Sequence, residues 1–140
     1  MTLPGAIELP DGAFVRGRGL RNPTPEGTPA YGLYLGSERM RRKHRLDWPH
    51  EWVEWPDFRL PRSSERAVAL IRDLHARAVA GEPVEVACGG GVGRTGTVIA
   101  CLAVLAGVPS GDAVAWARTH YHRRAVETPW QKRWVQRFPA

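Results

Sequence analysis

The stretch Val84-Glu-Val-Ala-Cys88-Gly-Gly-Gly-Val-Gly-Arg94-Thr-Gly96-Thr-Val-Ile-Ala-Cys101-Leu-Ala-Val-Leu-Ala106, closed by Gly107, decides the fold. Pro83 leads into Val84 to Ala87, which read as a short strand. From about Thr95 to Ala106 the chain is apolar enough for a helix, and Gly107 is placed to stop it. Between strand and helix lies a glycine-rich turn, Cys88 to Gly96. Such a turn lets several backbone N–H groups converge on one anion, assisted by the positive end of the helix that follows. The unit is therefore strand, anion-binding loop, helix.

Upstream, Ala67, Leu70, Ile71, Leu74 and Ala78 recur at helical spacing from Ser63 onward, and Gly81 supplies the stop. The first 60 residues read instead as short strands and turns. Ala13 to Leu20 and Tyr31 to Leu35 are the candidate strands, separated by the turn-rich segment Asn22 to Pro29. Residues 39–45, Arg-Met-Arg-Arg-Lys-His-Arg, form the densest basic run, which reads either as a solvated face or loop or as a docking surface for phosphate-rich partners. Downstream, Ser110 or Asp112 can cap a helix through about His120. Thr128 with Pro129 opens a last helix as N-cap and first helical residue. Helices thus cluster in the second half, and no internal repeat is present.

At 140 residues the chain reads as a single domain, 1–140, by the prior of roughly 150 residues per domain. With 43% apolar residues it can bury a core without disulfides or structural metals. Its two cysteines, Cys88 and Cys101, form no disulfide framework and suit a reducing cytoplasm. The longest apolar stretch, Val98 to Val108, is too short to span a bilayer, and the first twelve residues carry neither the basic nor the apolar segment of a secretory leader. A net charge of +6 favours an anionic partner: nucleic acid, a membrane surface or a phosphorylated substrate. Only Lys43 and Lys132 are lysine among the 20 Lys and Arg, so part of that basic character belongs to a general bias toward arginine.

Three motif classes compete for the glycine-rich loop. Gly91-Val-Gly93-Arg-Thr-Gly96 matches the dinucleotide pattern GxGxxG, but the nearest acid beyond it, Asp112, is misplaced for a ribose. A Walker-A loop fails because Cys88 stands where glycine is required and Arg94 where lysine is required. Cys88, five intervening residues, Arg94 and Thr95 together resemble the signature loop of the cysteine-dependent protein tyrosine phosphatases, Cys-x5-Arg-Ser/Thr. Five residues suffice to wrap the three non-bridging oxygens of a phosphoryl group, with the sulfur beneath phosphorus and a guanidinium fork on two oxygens. A thiolate at a helix N-terminus beside Arg94 and the Thr95 hydroxyl is expected to be nucleophilic at neutral pH. Cys101, inside the apolar run, reads as core, the alternative being a resolving partner for Cys88.

The general acid implied by the resemblance is Asp57, in Trp55-Pro56-Asp57-Phe58, which is similar to the family's Trp-Pro-Asp loop and lies 31 residues before Cys88. Trp48-Pro49-His50 repeats the first two residues and offers His in place of Asp. Trp48, Trp52 and Trp55 read as core, with Trp55 alternatively fixing the acid loop. Glu127-Thr128-Pro129-Trp130-Gln131 resembles the family's glutamine loop: Glu127 stands where the first glutamine of the larger enzymes is found, and Gln131 matches the second. Gln131 is equally suited to close a capping box with Thr128. Arg123 and Arg124 read as a solvated pair or as contacts to a second substrate anion. Ala87 stands where family members usually carry His.

The resemblance, covering about residues 31–138, implies an α/β domain with a central, mostly parallel sheet flanked by helices, like the compact dual-specificity group. It implies a phosphatase needing no metal or cofactor. Its catalytic residues are Cys88, Arg94, Asp57, Thr95 and Gln131, and its phosphate cradle comprises Gly89, Gly90, Gly91, Val92, Gly93 and Arg94. The expected partners are a phosphorylated protein or another phosphomonoester, with inorganic phosphate or similar oxyanions in the loop, and not nucleic acid. The alternatives are a phosphate-reading module without turnover, a phosphatase of a non-protein phosphate, and a rhodanese-like sulfurtransferase or arsenate reductase, which would not require Asp57.

Overall fold

A strand that ends in the site must open at an edge of the sheet, and the placement of Val84–Cys88 achieves this. The computed structural model describes residues 2–140. The strands are β1 (Ile7–Glu8), β2 (Phe14–Gly19), β3 (Tyr31–Gly36), β4 (His50–Glu54) and β5 (Val84–Cys88). The helices are α1 (Glu38–Lys43), α2 (Ser64–Val79), α3 (Gly93–Leu105), α4 (Ala113–His120) and α5 (Pro129–Gln136). One five-stranded sheet has the order β1-β2-β5-β3-β4. β5 is parallel to both neighbours, with Gly19 opposite Cys88 and Tyr34 opposite Ala87, and only β1 runs antiparallel. Cys88 therefore sits at the carboxyl edge of the central strand, where open α/β sheets bind their ligands.

The two faces of the sheet are covered differently. Val15, Leu33, Leu35, Val53, Val86 and Cys88 point into the main core with α2 to α5, following the two-residue alternation of the strands. α3 is buried along its length from Gly93 to Val104, as its apolar composition requires. Fully buried Ile99 and Leu102 each contribute about 1.5–3 kcal/mol of transfer free energy. α2 offers one stripe, Ala67, Ile71, Leu74 and Ala78, and is capped by the Ser63 hydroxyl accepting from the Arg66 N–H at 3.1 Å. Gly81, at φ +89, then turns the chain where a side chain would be strained. No helix among the described residues is long and apolar enough to cross a membrane.

The other face holds a small cluster of Leu20, Tyr34, Trp52 and Ala87 under Met40, Leu46 and Trp48. Glu85 lies in it with no exposed surface. Its carboxylate accepts from Arg16 Nε and Nη2 (3.0 and 2.8 Å), from Arg18 Nε (3.0 Å) and from the Tyr34 hydroxyl (2.6 Å). Burial alone would raise this carboxyl, but the hydrogen bonds from Arg18, Tyr34 and Arg16 and the Arg18 charge outweigh it and hold Glu85 below the usual range. The network braces β2, β3 and β5 directly beneath the loop that follows Cys88.

Several boundaries differ from the sequence expectation. α3 begins at Gly93 and not at Thr95, so Arg94 and Thr95 occupy its first turn. The basic run 39–45 contains a helical turn and a half, α1, with the Ser37 hydroxyl accepting from Met40 N–H at 3.2 Å and none of its residues buried. Thus the helices are not confined to the second half. Trp48-Pro49-His50 leads into β4, whose buried positions Trp52 and Val53 face opposite sides of the sheet. Asp112 is the N-cap of α4, yet its side chain makes no capping bond.

Candidate active site

β5 delivers Cys88 to the start of a loop whose path is set by contacts of backbone on backbone. Leu20 N–H donates to Cys88 O (2.8 Å) and Arg21 N–H to Gly89 O (3.0 Å), extending the β2 pairing past the strand end. Gly91, at φ +75, passes so close to Arg18 and Gly19 that a Cβ would overlap their backbone atoms. On its other side the Tyr121 hydroxyl donates to Gly91 O. Burial, and secondarily the nearby Cys88 sulfur, push that hydroxyl well above the ordinary phenol range, so it remains a donor. The loop then turns back, and Gly91 N–H points at Cys88 Sγ from 3.2 Å.

α3 has Val92 as N-cap and no side-chain capping bond, which leaves its first N–H groups without a side-chain cap at the end of the loop. Two buried side-chain atoms in this first turn, Arg94 Nε and Thr95 Oγ1, lack a hydrogen-bond partner among the described residues. Arg94 is 3% exposed, and its Nη1 donates to Trp55 O at 2.8 Å. Its Nε lies 3.5 Å from Asp57 Oδ1, an ion pair too long and misaligned for a hydrogen bond. Cys88, Arg94, Thr95 and Asp57 thus converge from β5, α3 and the β4–α2 connection. Cys101 does not join them: eight residues along α3 from Gly93, it is about 12 Å down the helix axis, fully buried, its thiol pushed well up by burial. Both cysteines are free.

The segment carrying Asp57 is held by side-chain donors. Trp55, fully buried, donates from Nε1 to Arg59 O (2.6 Å), and Gln131 donates from Nε2 to the same oxygen (3.0 Å). Trp130 donates from Nε1 to Phe58 O (2.7 Å). Phe58 has φ +61, a left-handed conformation that is costly for a residue with a Cβ, and the residue is 53% exposed. Phe58, Leu60 and Trp130, three of the exposed large apolar side chains, line one shallow cavity with Asp57 and Arg59.

Gln131 closes the expected capping box: Gln131 N–H donates to Thr128 Oγ1 (3.1 Å), and its Oε1 accepts from Thr128 N–H (3.2 Å) and Glu127 N–H (3.0 Å). With Nε2 on Arg59 O, both ends of its amide are engaged and it has no exposed surface. Glu127 is the polar side chain that faces the loop, its Oε1 lying where a Cβ on Gly93 would stand. Burial first and the Asp57 charge second push its carboxyl up, against smaller opposing effects of Arg124, Arg94 and His122. Arg123 and Arg124 are exposed on the turn before it.

The sequence reading did not find Trp130, Tyr121 or Arg21, which lies against Gly89. Each acts through a partner at least 30 residues away, and only Trp130 carried a local signal, being a large apolar residue in a polar first turn.

A sequence model described as protein-tyrosine phosphatase matches residues 31–126, more than half of the chain. The receptor-type tyrosine-protein phosphatase zeta of Rattus norvegicus is 40% identical over 65 residues, 46% of this chain and 3% of that receptor. The human protein of the same description is 37% identical over 65 residues, so the chain spans a small fraction of the curated relatives it matches. Among solved structures, Tk-PTP in its active form is similar at 23% identity and TM-score 0.65, with 96% of both chains covered. A kinase-associated phosphatase with its catalytic-site cysteine replaced by serine is similar at 13% identity and TM-score 0.70, over 99% of this chain and 94% of that one. These two likenesses establish the fold.

Proposed function

Because the chain belongs to the protein-tyrosine phosphatase family, we propose that it hydrolyses phosphomonoesters, phosphotyrosine in proteins above all, through a phosphocysteine intermediate. The observation that carries this reading is the approach of Asp57 to Arg94, 3.5 Å apart, at the mouth of a loop that starts at Cys88. A module that only bound phosphate would have no use for an acid there.

In the proposed mechanism the phosphoryl group sits on the N–H groups of residues 89–94, with the Arg94 guanidinium on two equatorial oxygens. Arg94 Nε, buried without an acceptor, is suited to donate to one of them. The Cys88 thiolate attacks phosphorus in line, forming the S–P bond as the bond to the ester oxygen breaks, and Asp57 gives its proton to that oxygen. The Asp57 carboxylate then takes a proton from water as the water oxygen attacks phosphorus. The S–P bond breaks, inorganic phosphate leaves, and the Thr95 hydroxyl, otherwise unpartnered, stabilises the departing thiolate.

The resemblance to the family's glutamine loop, whose glutamine helps to place the attacking water, made Gln131 a catalytic candidate. With both ends of its amide bonded, it serves here by fixing the acid loop to α5, and Glu127 is left to face the water. The compartment we infer is the cytoplasm, which suits two free thiols.

The test is hydrolysis of an aryl phosphate in EDTA by the wild type, Cys88→Ser and Asp57→Ala, with vanadate as inhibitor. Turnover that survives EDTA, vanishes in Cys88→Ser and falls about 10²–10⁴-fold in Asp57→Ala is expected. Absence of turnover with phosphate still bound would make the chain a phosphate reader, and Ala87 before the nucleophile the first position to restore to His.

A further inference from the structure

Exposed arginines flank the phosphate loop on both sides, and one of them is seated on it. On the β2 and α1 side, the Arg21 guanidinium packs against Gly89: a Cβ there would stand 2.9 Å from Arg21 Cζ, 3.0 Å from Nη2 and 3.0 Å from Met40 Cε. Arg21 is exposed and takes part in no ion pair among the described residues, as is true of Arg39, Arg42, Lys43 and Arg45. Arg41 alone of the run has a carboxylate, Glu38 at 3.6 Å. Glu85, the acid buried on this face, is consumed by Arg16 and Arg18, and Asp47 pairs with none of the run. The opposite rim joins Asp57, Glu127, Phe58 and Trp130 with exposed Arg59, Arg123 and Arg124, so it mixes acid with base, and no guanidinium there is seen against the loop glycines.

We propose that Arg21 forms a second anion subsite one residue from the nucleophile, and that the preferred substrate is a phosphopeptide whose phosphorylated residue is flanked by a carboxylate or a second phosphate. The proposal rests on the phosphatase reading above and names the substrate class of that site. An exposed guanidinium braced on glycine keeps its fork free, the geometry that suits carboxylate and phosphate alike. The uncompensated cations around it raise the local concentration of anions and disfavour basic or neutral sequences.

Paired phosphotyrosyl peptides, identical except for Asp, phosphoserine or Ala beside the phosphotyrosine, are titrated against Cys88→Ser, which needs no turnover to report binding. The acidic and doubly phosphorylated peptides are expected to bind about tenfold more tightly than the Ala peptide at low salt, and the preference should shrink as salt shortens the screening length. In Cys88→Ser carrying Arg21→Gln that preference should fall below about threefold, with Arg21→Lys retaining part of it. Equal affinity of all three peptides, or a preference that survives Arg21→Gln, overturns the subsite. Tighter binding of a small bisphosphate than of the doubly phosphorylated peptide would also overturn it, by assigning the cations to a metabolite. Wild-type kcat on the same peptides tests the phosphatase reading separately.

Discussion

The loop from Cys88 to Arg94 and the loop from Trp55 to Pro61 meet at one site but are held by different means. The first is fixed by backbone: strand pairing runs through Leu20 and Arg21, Gly91 fits against Arg18 and Gly19, and a helix grows out of it without a break. The second has two backbone bonds, Trp55 N–H to Gly36 O and Arg59 N–H to Pro56 O, and is otherwise tied by side chains, through the N–H groups of Trp55, Gln131 and Trp130 and the Arg94 fork. A cradle that must present several N–H groups to one tetrahedral anion tolerates little displacement. A proton donor must instead approach the leaving oxygen and later let product escape, so fastening by a few replaceable bonds suits it.

That difference can be broken first at Gly91. Gly91→Ala adds a methyl group at φ +75 against immovable backbone and is expected to lower kcat/KM by about 10²-fold with a parallel loss of vanadate affinity. Unchanged vanadate inhibition in this variant would mean that the cradle is not set by backbone contact.

The acid loop should yield more gently. Trp130→Phe keeps the ring and removes the N–H donated to Phe58 O, so the strained Phe58 loses one of its restraints. Hydrolysis should slow about 3- to 10-fold for esters with poor leaving groups and hardly at all for activated aryl phosphates, because only the former need the Asp57 proton. A uniform loss across leaving groups, measured as kcat against leaving-group acidity, would place Trp130 in folding and not in positioning the acid.

The smallest effect separates the two by pH. Glu85 braces the strands beneath the cradle with its carboxyl below the usual range in the folded state, so its contribution to stability is fully present above the ordinary value of 4.5 and is lost as pH falls through the folded value. The neutral donors of the acid loop do not titrate there. Denaturant unfolding from pH 7 to pH 3 should therefore show a stability decline beginning below about 4.5, and Glu85→Gln should flatten it. An unaltered acid limb in Glu85→Gln would assign the decline to other carboxylates, such as Asp11.

What the sequence disclosed follows the same division. The β5–loop–α3 unit was legible because its chemistry is local: glycines where backbone must approach, Cys88 and Arg94 at a spacing set by a phosphoryl group, an apolar run for a buried helix. Thr128 and Pro129 announced α5 for the same reason. β4 was missed because its buried residues, Trp52 and Val53, are adjacent and its other positions polar, which gives no alternation to read. α1 was missed because six residues with nothing buried carry no periodicity. The ties Trp130 to Phe58 and Gln131 to Arg59 each join residues 72 apart and leave no trace along the chain. Gln131 was correctly seen as a capping residue, whereas its second bond, which commits its amide, could be seen only in three dimensions.

The seclusion of Cys101 in the middle of α3 gives the molecule an internal gauge of its own opening. A thiol reagent small enough to enter the site can react with Cys88 in the native state, but it reaches Cys101 only when the main core comes apart. The second mass increment in a timed alkylation therefore counts excursions of the whole domain, while the first counts access to the loop. Every variant proposed above that retains both cysteines can be sorted by that one readout into those that disturb the site and those that loosen the protein.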